Sequence, residues 1–256
     1  MEFPHLHISL DQRIATVTID RPEALNALNK AVIQSLHDAV EWLDSHADVR
    51  VVILTGGGPK SFVAGADIAE FASFNAEQGQ ALSETGHHLL FDRIAAAQKP
   101  YIAAINGFAL GGGLELAMAC HVRIASESAR MGLPETSLGL IPGYGGTQRL
   151  VQLIGKGRAM EMMLTAAMID ATTAERFGLV NQVVPSEGLI STSVAMAQKF
   201  MKNSGQAHRA VIQALNASTE GGPGFKQEQA LFGECFGTAE FREGTNAFLE
   251  KRKPAF

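Results

Sequence analysis

Three stretches of this chain combine glycine with polar groups in a way that could do chemistry. They are Ser61-Phe62-Val63-Ala64-Gly65-Ala66-Asp67, Asn106 to Glu115 with Gly111-Gly112-Gly113 inside it, and Pro134-Glu135 followed by Gly139 to Thr147. Glycines at a helix start let a ligand come close to the backbone and leave N–H groups free. The helix dipole adds partial positive charge there, so Gly111-Gly112-Gly113 is equipped to hold an oxyanion. Glu115 follows in the first helical turn. From local sequence alone it reads equally well as a helix cap or as a working carboxylate. Glu135 stands among Met131, Leu133, Leu138, Leu140 and Ile141. Apolar surroundings raise a carboxyl pKa and suit it to acid–base work. An ion pair with Arg130 or Arg149 is the rival reading. Ala66 opens a short helix, and Asp67 near its start reads as a cap before a catalyst.

Several other chemistries are excluded. The glycines around 58–61 miss the Walker A spacing, a GxGxxG pattern fails at Leu116, and there is no GxSxG. Cys120 and Cys235 form no CxxC or Cys/His cluster and there is no HExxH, so no metal site is expected. The 256 residues carry a formal charge of −5, which argues against nucleic acid as the partner. Hydrophobic residues make up 46% and charged residues 18%, so a large core with possible subunit contacts is expected and disorder is not. The start, Met1-Glu2-Phe3-Pro4-His5, lacks the pattern of a signal peptide. The charge-free run from Pro100 to Leu114 is too short and too glycine-rich to span a membrane. The chain reads as soluble and cytoplasmic.

The elements that must position these loops follow from periodicity. Residues 5–10 and 13–19 alternate and predict a hairpin turning at Asp11-Gln12. Asn29 predicts the N-cap of a helix whose apolar positions are Val32, Leu36, Val40 and Leu43. Val51-Val52-Ile53-Leu54 and Tyr101 to Ile105 are apolar runs of the kind found in strands buried on both faces. A helical stretch from about Glu77 to Gln98 separates them. A short helix is expected from Leu114 to Cys120, then a strand over Val122 to Ala125. Residues 130–147 read as a long irregular loop, which in a compact domain is usually functional. Beyond 148 the pattern is helical except for Val180 to Val184, and Gly221-Gly222-Pro223-Gly224 interrupts the tail. This order predicts an α/β fold with parallel strands. A composition shift puts the boundary near 200, giving a core over 1–200 and a helical region over 201–256.

The residues also resemble a known family. Arg21-Pro22-Glu23-Ala24-Leu25-Asn26-Ala27-Leu28, Ala64-Gly65-Ala66-Asp67-Ile68, and Lys99 to Gly107 occur in order. So do Ala109 to Ala117, Leu133-Pro134-Glu135, and Ile141 to Leu150. Each is weak alone. Together, at their spacing, the chain resembles the enoyl-CoA hydratase/isomerase (crotonase) superfamily over nearly its full length.

The resemblance implies a crotonase-like spiral of ββα turns with a C-terminal helical trimerisation region. It implies a homotrimer, or a homohexamer built as a dimer of trimers. The implied substrate is an acyl-CoA thioester, with coenzyme A part of the substrate and no separate cofactor. By position, the backbone N–H groups of Ala66 and Gly112 would form an oxyanion hole. Glu115 and Glu135 would be the acid–base pair, and Gly143 would orient a water. Ala24, Leu25, Ala64, Asp67, Ile68 and Lys251 would contact substrate or CoA. Two glutamates favour hydration of trans-2-enoyl-CoA. A Δ3–Δ2-enoyl-CoA isomerase, which typically keeps only the counterpart of Glu135, or another crotonase-family acyl-CoA activity is the alternative, and a CoA- or RNA-binding non-enzyme the more distant one. Ala69 replaces a common lysine, which weakens an expected phosphate or adenosine contact. His121 replaces a common aspartate and reads as a structural residue. Leu133 stands where some hydratases have Gln. His87-His88 lie on the helix that borders the acyl pocket in the family, but the glutamates already account for the chemistry.

Overall fold

The hairpin pairs β1 (Leu6–Asp11) antiparallel with β2 (Ile14–Ile19) in a computed structural model that describes residues 3–218 and 224–256. Its turn is Gln12-Arg13, at φ 46° and 68°, one residue later than the sequence predicts. Two consecutive positive φ values suit the right-handed twist of a two-residue hairpin. Asn29 caps α1 (Lys30–Ser45), its Oδ1 accepting the Val32 N–H at 2.9 Å, and Val32, Leu36, Val40 and Leu43 are buried as expected. Met1, Glu2 and the expected break at Gly221-Gly222-Pro223 lie outside the described residues.

The chain then winds in three ββα turns. β3 (Val51–Gly56) and β4 (Ser61–Val63) lead to α2 (Ala76–Gly86), a π-helical turn over 87–91, and α3 (Asp92–Ala95). β5 (Tyr101–Ile105) and β6 (Phe108–Leu110) lead to α4 (Gly112–Ala119). β7 (Val122–Ser126) and β8 (Arg130–Gly132) lead to α5 (Gly146–Ile154) and α6 (Lys156–Thr165). β9 (Met168–Asp170), α7 (Ala171–Phe177), β10 (Gln182–Val184) and α8 (Leu189–Met201) follow. α9 (Gly205–Ser218), α10 (Gly224–Phe236) and α11 (Ala239–Leu249) complete the fold.

The first strand of each turn enters a six-stranded sheet, ordered β1-β2-β3-β5-β7-β10, and the second enters a four-stranded sheet, β4-β6-β8-β9. This is the expected spiral. Within the six-stranded sheet every pair from β2 to β10 is parallel and the edge strand β1 is antiparallel. In the four-stranded sheet β4, β6 and β8 are parallel and the edge strand β9 is antiparallel. β3 and β5 are buried at every residue. Alternation splits them between two cores. Val52, Leu54, Ala103 and Ile105 join the α1 residues in the larger core, while Val51, Ile53, Ile102 and Ala104 meet Leu189 and Ala197 of α8.

Three local expectations need correction. The short helix begins at Gly112, not Leu114. A Cβ on Gly113 would stand 1.9 Å from the Val63 carbonyl oxygen, so glycine is what lets α4 start this close to β4. The stretch 130–147 contains β8, a 3-10 turn over 134–138 and the start of α5. β9 adds a second strand to the region read as helical beyond 148. β8 and β9 have three residues each, too few for a period of two to register in sequence.

The site follows from the small sheet. β4, β6 and β8 lie side by side and parallel, so their C-terminal ends open on one edge. Ala64 to Ala66, Gly111-Gly112 and Leu133 to Glu135 leave those ends. In open α/β sheets ligands bind beyond the carboxyl ends of the strands.

Candidate active site

A cavity of about 520 Å³ opens at that edge. Ala64, Ala66, Ile68, Gly112, Glu115, Glu135 and Gly143 line it, which brings together seven of the eleven residues singled out from the sequence. Ala24, Leu25, Asp67 and Lys251 do not line it.

Two backbone donors converge first. A Cβ on Gly112 would stand 3.7 Å from the Ala66 nitrogen, so the two amides are close neighbours. Neither N–H finds an acceptor among the described residues. Gly112 opens α4, where no intrahelical acceptor exists, and the helix dipole reinforces its N–H. Gly111 makes the corner before it at φ 49° and ψ −125°, a backbone conformation open essentially to glycine. A Cβ there would also lie 2.7 Å from Glu135 Oε1.

Glu115 does not cap its own helix. It is 1% exposed, and its Oε1 accepts N–H bonds from Tyr144 and Gly146, both at 2.7 Å. Gly146 is the first residue of α5, so the carboxylate sits at the N-terminus of a different helix. Burial pushes its pKa up to about 7, with the two N–H groups and Arg149 pulling down and Glu135 pushing up. A carboxyl in that range exchanges protons readily near neutrality.

Glu135 is half-buried on the 134–138 turn, and its Oε2 is enclosed with no hydrogen-bond partner among the described residues. Burial raises its pKa. The ion-pair rival is absent. Arg130 donates to the carbonyls of Ser128 and Ala129, and Arg149 to the Tyr144 carbonyl and Asp92. Gly143 presents its N–H without an acceptor, while its carbonyl takes the Ser83 hydroxyl at 2.5 Å.

The motif around residue 21 serves as scaffold. Asn26 is buried and donates to the carbonyls of Gly57 and Ser61 at 3.0 and 2.9 Å. Asn106 donates to Gly56, Gly58 and Ser61 from the other side. Together they fix the start of β4 and hence the Ala64–Ala66 loop. Ala64 N–H bonds the Leu25 carbonyl at 3.1 Å. Asp67 is a cap, accepting from Ala69 N–H at 3.3 Å, and is also paired with Arg21 at 2.8 Å. His121 is structural. It accepts from Tyr101 N–H at 2.8 Å, and burial pushes its pKa down to about 4. Leu133 is buried in the core and does not line the cavity. Neither do His87 and His88.

The resemblance implies an acyl-pocket wall between about residues 71 and 95. Phe71, Phe74 and Leu82 supply it there, and Tyr144 joins it from the turn before α5. Tyr144 stacks on Phe91 with centroids 4.6 Å apart. The signal for Phe91 was masked because the helix read as continuous over 77–98 contains the π turn, which rotates its faces. The whole is an apolar pocket with a few convergent polar groups. It can hold a flat acyl group with its carbonyl oxygen on two N–H donors and two carboxyls beside the carbons.

Comparisons with known proteins agree in fold and chemistry. The family described as Enoyl-CoA hydratase/isomerase matches residues 9–256. The chain is 43% identical to the short-chain-enoyl-CoA hydratase of Clostridium acetobutylicum, over 99% of this chain and 97% of that protein. It is 42% identical to the crotonyl-CoA hydratase of Syntrophomonas wolfei, over 100% of this chain and 99% of that one. Among solved structures, an enoyl-CoA hydratase subunit from Geobacillus kaustophilus superposes with a TM-score of 0.94 at 38% identity, covering 100% of this chain and 99% of that chain.

Proposed function

The chain belongs to the enoyl-CoA hydratase/isomerase family, and on that premise we propose that it adds water reversibly across the double bond of trans-2-enoyl-CoA thioesters, giving 3-hydroxyacyl-CoA. The observation that carries the reading is one cavity holding two unpartnered N–H groups and two carboxyls with raised pKa values.

When water attacks Cβ, negative charge moves to the thioester oxygen. The Ala66 and Gly112 N–H groups meet that charge, and losing one such donor typically costs about 3–4 kcal/mol. Ionised Glu115 takes the proton from the attacking water, which the Gly143 N–H orients. Protonated Glu135 delivers a proton to Cα. Its apolar enclosure favours the neutral acid. The pair shares one water, so their titrations are coupled and belong to the pair. Coenzyme A enters as part of the substrate, and a redox-neutral addition calls for no further cofactor. An isomerase needs one carboxyl to move a proton along the chain. Glu115, held by two N–H groups against α5, would have no task there.

The C-terminal region from 201 on is proposed to assemble the subunits as trimers or as hexamers. Its exposed aromatic residues support this: Phe225 is 80% exposed and Phe248 82%.

The test uses crotonyl-CoA, the substrate class for which a relative is named. Glu135→Gln and Glu115→Gln keep size and hydrogen bonding but transfer no proton. Each should cut kcat by roughly 10²–10⁴ with KM within a few-fold. The double variant should lose much less than the product. A folded Glu135→Gln protein that hydrates crotonyl-CoA at the unsubstituted rate would sink the mechanism.

A further inference from the structure

The turn that serves Glu115 has no regular structure of its own. Residues 139–145 precede α5 without strand or helix, yet three amides depend on their path: Gly143 into the cavity, and Tyr144 and Gly146 onto Glu115. Two side chains tie this turn to the rest of the molecule. Ser83 of α2 donates to the Gly143 carbonyl at 2.5 Å. Arg149, one turn into α5, donates from one guanidinium nitrogen to the Tyr144 carbonyl at 2.9 Å and from the other to Asp92 Oδ1 at 2.8 Å. Arg149 therefore bridges the turn to α3. It is 16% exposed, and its planar fork satisfies two acceptors at once.

We propose that Arg149, anchored by Asp92, is the positioning residue of this site, fixing the 143–146 turn so that its amides meet the Glu115 carboxylate and the attacking water. The proposal rests on the reading of Glu115 as the base. Arg149 does not line the cavity and touches no reacting atom. It acts through the Tyr144 peptide, whose carbonyl it holds and whose N–H points at Glu115. Its positive charge also favours the ionised form of Glu115. The other groups facing this centre are Glu135 from the 134–138 turn, which opposes ionisation, the Tyr144 phenol, whose pKa burial and the Glu115 charge push up to about 12, and His87, which shares Asp92 with Arg149 at 3.3 Å.

Removing the guanidinium should loosen the amides and withdraw a cation. Both changes disfavour the carboxylate, so the Glu115 pKa rises and the acid limb of kcat moves to higher pH. Arg149→Gln should therefore lower kcat by about 10–100-fold, the penalty of a small misplacement, with KM for crotonyl-CoA within a few-fold. Arg149→Lys keeps the charge but not the fork. It should return the acid limb part of the way and recover only part of kcat. A merely structural arginine would change melting temperature and leave the limb in place. Carboxyl infrared difference spectra across pH, with Glu115→Gln as the assignment control, read the same shift without turnover. If Arg149→Gln fails to fold, Asp92→Asn decides on kcat, since it releases the anchor from an exposed position while leaving the guanidinium charge in place, and it should lower kcat in the same direction by less, with KM within a few-fold. Unchanged kcat and an unmoved limb in a folded variant would overturn the proposal. If Glu115→Gln itself turns over normally, it is the reading of the base that falls.

Discussion

Around Glu115 the chain buries polar groups, satisfying one Glu115 oxygen from within and leaving one Glu135 oxygen without a partner among the described residues. Both bonds to the Glu115 oxygen come from backbone N–H groups of the same chain. The neighbouring aromatic wall is closed by Phe91 stacked on Tyr144. In α9 to α11 the arrangement is reversed. Phe225, Phe232, Phe236, Phe248 and Leu249 are all more than half exposed, and Leu231 and Ala247 are among the few buried apolar residues. One region turns its polar groups inward onto its own backbone; the other carries more apolar surface than its own helices can cover. A chain can afford unpaired polarity only where chemistry uses it, and unpaired apolar surface only where another surface meets it.

The sharpest way to break the first half of that contrast uses adjacent glycines. A methyl on Gly112 would meet Tyr144, Leu28 and the Ala66 nitrogen at 3.5–3.7 Å, ordinary contact distances. Gly112→Ala should therefore fold normally. The methyl would stand beside the Ala66 N–H, where the thioester oxygen must sit, and kcat/KM for crotonyl-CoA should fall by roughly 10²–10³. Gly113→Ala would drive its methyl into the Val63 carbonyl and should lower the melting temperature severely or prevent folding. Full activity in Gly112→Ala would remove the two-donor hole from the mechanism.

A smaller effect concerns what the buried carboxyl does to the fold. The Glu115 pKa is raised from 4.5 to about 7, so the native chain binds more protons than the unfolded chain between those values. Stability then falls as pH rises through that window, and the loss is complete above it. Glu115→Gln keeps an oxygen for the two N–H groups and has no charge to bury. It should be more stable than the unsubstituted protein at pH 8, by roughly 3 kcal/mol, and no more stable at pH 4. Glu135 pushes the Glu115 pKa up, so relief of that repulsion is part of the gain. Denaturant melts at the two pH values measure this; equal stability at pH 8 would mean that the site stores no such strain.

For the C-terminal helices the corresponding change is on the outside. Phe232→Glu replaces a side chain that is 67% exposed, so the folding stability of one chain should move by about 0.5 kcal/mol or less. Assembly should suffer instead. Light scattering should show trimers or hexamers for the unsubstituted protein and smaller species for the variant. A monomeric unsubstituted protein at micromolar concentration would refute the interface reading.

Legibility in the sequence divides along the same line. Where an element is long and periodic, as in α1, its cap and core face could be read directly. Glycine clusters told where loops must approach one another, and Glu115 and Glu135 could be named as candidates. What they bond to could not. Glu115 reads in sequence as either a cap for α4 or a working carboxylate, and the structure turns it to the start of α5, 31 residues later, a partnership set by tertiary packing. Asn26 and Asn106 stood in recognised motifs, but their convergence on the Ser61 carbonyl is visible only in three dimensions. Three-residue strands such as β8 carry too little pattern to be found, although β8 is what delivers Glu135 to the site.

The smallest expected effect joins the two regions. Lys251 follows α11 at φ 54° and is exposed. Its neighbour Arg252 is engaged by Glu243 and Glu250, whereas Lys251 has no ion-pair partner among the described residues. It does not line the cavity of its own chain. If it meets a CoA phosphate, it does so at the far end of the substrate, on its own subunit or on a neighbour. Attraction at such a solvated position is worth about 1 kcal/mol or less and is screened by salt. Lys251→Ala should therefore raise KM by about two- to fivefold at low ionic strength with kcat unchanged, and the difference should shrink as salt is added. Identical KM values for the two proteins at low salt would remove Lys251 from the CoA contacts. The same comparison in a Phe232→Glu background separates the remaining possibilities. A lysine that serves a neighbouring subunit loses its effect when the subunits part, and one that serves its own does not.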